Sequence, residues 1–313
     1  MKGIELCEKF YIEYGEPMMR EHFGDLSELV AIGILGSGSE CFGYDDEISR
    51  DHDFEPGFCI FLPSEELVDR KAEFALERAY SKLPRKFMGS ERSVLQPAGA
   101  KRHGVIRISD FLLEKTGRED GELSLEEWFF VPEQSLAELT NGKIFFDRFG
   151  LMSQIRERLA YLPEDIRLKK LAGELLIMEQ SGCYNYARCI QRGETAAAQL
   201  ALSEFVKSSL HAMFLLSKRY MPYYKWSFRA FSELDGFSNL YCDLEYLISS
   251  SNSDEEYEKK SRLVAHICDS VISALCKQGL CEQMGDGLER YAYSVNQRIT
   301  DHRIRNLNLL YGV

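Results

Sequence analysis

Two short apolar runs constrain the first third of the chain. Residues 29–35 read LVAIGIL and residues 58–62 read FCIFL. Apolar runs of this length, bounded by turn-forming residues, predict strands buried on both faces. The sequence GSGS at 36–39 closes the first run in a tight turn, and Pro56-Gly57 introduces the second. Pro63-Ser64-Glu65-Glu66 then predicts a helix start, with Ser64 as N-cap, running to about Lys82. GVIRIS at 104–109 predicts a third strand, and residues 5–23 predict a helix ahead of the first. Strands and helices in alternation favour an α/β layer.

After Asn141-Gly142 the texture changes. From about residue 151 onward the patterns are helical. Ala198, Leu202, Phe205, Val206, Leu210, Met213 and Phe214 recur at three and four. They predict a helix over 195–219, ended by Pro222. Residues 168–178 also have helical spacing. SSNSD at 250–254 reads as a polar loop, with Ser253 or Asp254 capping a helix that carries Leu263, Ile267, Val271 and Leu275. A chain of 313 residues holds two modest domains, and the boundary is expected near 150. The expected fold is thus an α/β (α+β) domain with a small mixed sheet over 1–150, followed by an all-α helical bundle over 151–313.

Composition excludes several classes. No window holds enough uninterrupted apolar residues for a membrane span. The first residues, MKGIELCEKF, carry charges where a signal peptide needs an apolar core, so a cytoplasmic location and no membrane partner are expected. The net charge of −12 disfavours a long nucleic acid as partner. Nine scattered cysteines do not form a secreted disulfide framework. Cys276 and Cys281 are close in sequence but lack two further zinc ligands. The six histidines show no paired metal-ligand spacing.

The most informative stretch is GSGSECFGYDDEISRDHD, residues 36–53. Asp51 and Asp53 are two apart just before a strand, so they would face the same way. Two carboxylates that close are unfavourable unless a cation lies between them, and magnesium takes carboxylate oxygens together with substrate phosphates. A Gly-Ser turn offers backbone N–H groups and a hydroxyl to a phosphate. Glu40, Asp45, Asp46 and Glu47 in the same loop read mostly as solvated acids.

This arrangement resembles the nucleotidyltransferase superfamily, the polymerase-β-like fold. The resemblance implies that the Gly-Ser turn holds the phosphates of a nucleoside triphosphate and that Asp51 and Asp53 bind Mg2+. Gly38 and Ser39 are the first choice for the turn, and Gly36 and Ser37 compete. The wider wording, with EQSGCYNYARCIQRGE and KRYMPYYKWSFRAF further on, is similar to a bacterial branch called domain of unknown function 4037, over about residues 30–235. Active members of the superfamily place a third carboxylate on a later strand. GVIRIS contains no acid. Asp110 lies just past it, and Glu133 and Glu174 are alternatives without a spacing argument.

In the helical half, Tyr184, Arg188 and Arg192 follow one another at i,i+4 and suit an acceptor or phosphate site. Lys225 and Arg229 are similarly spaced, with Lys225 expected at the nucleotide and Trp226, Tyr223 and Phe228 in the core. Three functions compete. The first is transfer of a nucleoside monophosphate from a triphosphate to a hydroxyl on a small-molecule acceptor. The second is a catalytically degenerate nucleotide-binding or regulatory protein. The third is the antitoxin-like half of a two-protein system, which the fused helical domain and the length of the chain disfavour. Whether Arg298, Arg303 and Arg305 meet another subunit of a homo-oligomer stays open.

Overall fold

The structure is a computed structural model that describes residues 1–48, 55–92 and 102–313. It is mixed α/β, with a small mixed sheet and a helical region. The chain forms two compact units. The first comprises Met1–Leu123 with Val131–Ala160, and the second Ser124–Phe130 with Tyr161–Val313.

The described strands are β1 (Ala31–Ile34), β2 (Cys59–Leu62), β3 (Lys86–Phe87), β4 (Ser90–Glu91), β5 (Gly104–Arg107) and β6 (Lys143–Asp147). Four make one sheet in the order β5-β2-β1-β6, and β3 pairs with β4. β1 runs antiparallel to β2, with Ala31 opposite Phe61, and antiparallel to β6, while β2 and β5 are parallel. The register against β6 shifts between Ile32 and Gly33, as a β-bulge does. Gly33 is required there, because a Cβ would stand 2.5 Å from the Lys143 carbonyl oxygen. β1 and β2 are buried at every position, as their unbroken apolar runs require.

The first predicted helix consists of Gly3–Phe10, a π-helical turn Tyr11–Gly15, and Glu16–Phe23. Its buried face carries Leu6, Phe10 and Tyr11 onto Phe58, Ile60 and Leu62 of the sheet. The rings interlock: Tyr11 stands edge-on to Phe58 at 5.4 Å, and Phe58 to Tyr80 at 5.0 Å. Gly15 lets the Phe58 ring lie directly against the helix, where a Cβ would stand 2.5 Å from Cζ.

Several expectations need correction. The helix after β2 starts later than PSEE implies and spans Arg70–Ser81. Its N-cap is Asp69, which accepts from the Ala72 N–H at 2.8 Å, rather than Ser64. A carboxylate satisfies an orphan helix N–H as well as a hydroxyl does. The third strand stops at Arg107, and a helix begins at Ile108. A further strand, β6, follows Asn141-Gly142 where none was expected. The helix at 195 ends at Leu216, and Lys218 already has φ +51°, so Pro222 is not its terminator.

The second unit is built from Glu164–Met178, a π turn Glu179–Asn185, Tyr186–Gln191, Thr195–Leu216, Tyr224–Phe231, Tyr241–Ser249, Asp254–Lys277, Leu288–Gln297 and three shorter helical segments. Glu164–Met178 is its centre, and residues 166–175 of it are buried on all sides. Its charged residues are satisfied internally. Lys169 donates to the Asn296 Oδ1 at 2.7 Å and to the carbonyls of Arg305 and Leu307. Among the described residues, no helix is long and apolar enough to cross a membrane.

β1 and the start of β6 approach closely at Gly142. Gly142 has φ +63°, and a Cβ there would overlap the Ile34 carbonyl oxygen. Gly142→Ala should therefore destabilise the first unit by about 3 kcal/mol or more, read as a lower urea midpoint.

Candidate functional site

The GSGS turn leaves the end of β1 and is pinned from a distance. Gly36 has φ +127°, which L side chains rarely adopt. Its N–H donates to the Asn141 Oδ1 at 3.1 Å, and its carbonyl accepts from the Asn141 Nδ2 at 2.8 Å. Asn141 follows the helix Glu133–Thr140. Arg156 holds this corner by donating to the carbonyls of Thr140 and Asn141 at 2.7 and 2.6 Å. The Gly142 N–H donates to the Cys41 carbonyl at 2.9 Å. Sequence reasoning missed Asn141, although the Asn-Gly pair was visible as a turn signal.

The turn opens onto a cavity of about 240 Å³ within the first unit. Gly36, Ser37 and Gly38 line it. Ser37 is exposed, whereas Ser39 is buried and starts the short helical segment Ser39–Phe42. Of the two candidate turn serines, Ser37 is thus the one at the cavity. Gly38 is extended, and a Cβ there would overlap the Glu40 carboxylate.

Glu40 and Asp45 are not solvated acids. Glu40 is buried, lines the cavity and pairs with Arg102 at 3.4 Å. Asp45 is buried and accepts from the Gly3 N–H at 3.1 Å, which fixes the start of the first helix. Asp46 and Glu47 are exposed. Arg107 also lines the cavity, but its guanidinium is engaged by Glu73 at 2.7 Å and by the carbonyls of Pro63 and Val68 at 2.8 Å. Asp110 lies in the first turn of Ile108–Thr116 and is exposed on the cavity wall. Burial pushes the Cys41 thiol well above its ordinary range, so this cavity thiol is not a thiolate nucleophile at neutral pH.

His103 packs beside this group. Its ring presses on Gly57, where a Cβ would stand 2.7 Å from Cγ, and its Nε2 is enclosed without a hydrogen-bond partner among the described residues. Burial, reinforced by Arg102 and Arg92, lowers its pKa to about 3. The imidazole is therefore neutral at physiological pH.

The remaining candidates lie elsewhere. Asp51, His52 and Asp53 lie outside the described residues. Among the described residues no group of three or more His, Cys, Asp or Glu could hold a metal ion. Glu133 begins the helix Glu133–Thr140 and does not line the cavity. In the second unit, Glu174 is buried against His211 Nδ1 at 2.6 Å. Tyr184 and Arg188 are exposed and satisfy each other, with a hydrogen bond to the phenol oxygen and the guanidinium 4.7 Å from the ring centroid. Arg192 is exposed at the end of Tyr186–Gln191. Lys225 is exposed, 4.9 Å from the Trp226 ring, and Arg229 is half-buried. The core face of Tyr224–Phe231 is Ser227, Ala230 and Phe231, whereas Tyr223 and Tyr224 are exposed and Trp226 and Phe228 only half-buried. The expectation that Tyr223, Trp226 and Phe228 anchor the core is corrected accordingly.

Comparison with known proteins gives one family. A family model described as Domain of unknown function (DUF4037) matches residues 128–227. That stretch contains Tyr184, Arg188, Arg192 and Lys225, and it supports the likeness to this family. No curated protein matches the chain.

Two outcomes follow from this geometry. Asn141→Ala removes both hydrogen bonds to Gly36 and should cost roughly 1–3 kcal/mol, measured as a lower urea midpoint. His103 gives a pH dependence. The unfolded imidazole takes up a proton near 6.5, but the folded one only near 3. Its contribution is intact above the first value and is lost as pH falls toward the second. His103→Gln should reduce the loss of stability between about pH 7 and about pH 5 by roughly 2 kcal/mol, seen in urea titrations at both values.

Proposed function

We propose that the protein is a magnesium-dependent nucleotidyltransferase that moves a nucleoside monophosphate from a nucleoside triphosphate to a hydroxyl of a small-molecule acceptor. The observation that carries this reading is the cavity at the end of β1, which a clamped Gly-Ser turn, Arg102 and Asp110 all line. Backbone without a Cβ at Gly36, where the space is open, admits a phosphate closely. The exposed Ser37 hydroxyl adds a donor. Arg102 is held by Glu40 in the resting pocket. A phosphate entering there would take up the guanidinium, as forked donors favour anionic oxygens.

The described residues do not by themselves make a cation site. The metal assignment rests on Asp51 and Asp53, with Asp110 as the third carboxylate at the cavity. Magnesium bound there would offset charge on the transferring phosphoryl group. Within the second unit, Tyr184, Arg188, Arg192 and Arg229 are the acceptor-binding candidates. DUF4037 carries no assigned activity that would favour one acceptor.

A second reading, a nucleotide-binding protein without transfer chemistry, is favoured by one observation. β5 carries no acid, and its Arg107 is locked into Glu73 and two carbonyls. Asp110 sits instead on the following helix. Calorimetric titration with ATP, CTP, GTP and UTP, with and without magnesium, tests both readings. Magnesium-dependent binding of a triphosphate, lost in Asp51→Asn/Asp53→Asn, is the expected result. Pyrophosphate release with an acceptor then separates transfer from binding alone. Equal binding by wild type and double variant would overturn the metal assignment.

A further inference from the structure

Four of the nine cysteines stand in two close pairs within the second unit. The Cys183 and Cys268 sulfurs are 3.8 Å apart, and those of Cys276 and Cys281 are 3.5 Å apart. Cys183 belongs to the π turn Glu179–Asn185. Cys268 and Cys276 both lie on the helix Asp254–Lys277, and Cys281 lies just beyond its end. Each pair joins an accessible thiol to a buried one. Cys183 is exposed and Cys276 half-buried, whereas Cys268 and Cys281 are buried.

We propose that these pairs are two oxidative modification sites, each closed into an intrachain disulfide by a hydroperoxide, which staple the helix Asp254–Lys277 at its middle and at its end. The accessible sulfur, as thiolate, attacks a peroxide oxygen. The O–O bond breaks, the leaving oxygen departs as alcohol or water after taking a proton, and a sulfenic acid forms. The buried partner's sulfur then attacks that sulfenic sulfur. The S–O bond breaks, the S–S bond forms, and the departing hydroxide takes the thiol proton and leaves as water. Two thiols lose two electrons and two protons, and the hydroperoxide is reduced. Reaching a bond length of about 2.05 Å requires each sulfur to move less than about 1 Å.

The surroundings fix the order of events. The hydrogen bond with Cys183 and burial both push the Cys268 thiol up. Burial and Cys276 push Cys281 up to about 12. The buried members therefore stay protonated, and reaction starts at the accessible sulfur. The first unit provides an internal control. Cys7, Cys41 and Cys59 are all buried, and burial raises Cys7 and Cys59 to about 12. None of them offers an accessible sulfur for the first step.

The test uses the reduced full-length protein, treated with hydrogen peroxide, blocked with iodoacetamide and digested with trypsin. Cleavage separates peptides 171–188, 263–277 and 278–290. Cys268 and Cys276 share the second peptide, so full oxidation should give one product linking all three, about 4 Da lighter than its parts. A thiol reductant should separate it. Cys276→Ser should leave only the 171–188 link, and Cys183→Ser only the 278–290 link. Recovery of 263–277 unlinked, carrying sulfinic or sulfonic acids, would overturn the proposal. So would links to Cys189 or Cys242 in place of these partners.

Discussion

The Asn141 carboxamide takes both backbone polar groups of Gly36, across 105 residues of sequence. A side-chain amide has one donor face and one acceptor face, so it can replace a strand at a single residue. This matters because Gly36 leaves the sheet in a conformation that no ladder continues. Gly33 and Gly142 allow β6 to lie close against β1, and Arg156 holds the carbonyls on either side of the amide bond. The cavity wall at residues 36–38 is thus set by a corner that is remote in sequence and adjacent in space. The chemistry proposed for the turn depends on this clamp, since a loose glycine loop would have to be ordered by its ligand at an entropic cost.

What could be read in the sequence follows from how local the causes are. β1 and β2 were legible because burial on both faces leaves an unbroken apolar run. β6 was not, because KIFFD is only half-buried and follows a turn that also suits a domain boundary. Ser64 and Asp69 are both competent caps, and the choice between them depends on where the chain reaches the sheet edge. At the candidate site, the Gly-Ser turn was visible as a motif. Which serine faces the cavity was not, because Ser37 and Ser39 differ only in the direction the backbone gives them. Glu40 and Asp45 looked solvated in an acidic loop. Their burial depends on Arg102 and on the Gly3 N–H, partners that no local pattern reveals.

The second unit shows the same limit in a different form. Its central helix has a charged, weakly amphipathic sequence, and yet residues 166–175 are buried all round. Periodicity detects one apolar face and fails where every face is covered. Arg167 answers this by bonding Glu164 and the Leu215 carbonyl, and Glu174 by bonding His211. Gly182 in the following π turn lies under the Phe205 ring, as Gly15 lies under Phe58 in the first unit. In both places the wider helical turn and the missing side chain make room for an aromatic ring.

The Lys169 ammonium has a consequence for the order in which this unit forms. Its partners are the Asn296 side chain and the carbonyls of Arg305 and Leu307. Until those residues have been synthesised, burying the central helix would strand an unpaired cation in an apolar interior, which is costly. The Lys169 pocket is therefore complete only once residues 296–307 are in place. The first unit has its own dependence on later sequence, since Gly36 is held by Asn141 and β1 pairs with β6. In both units, then, an early segment waits on a partner that is made later.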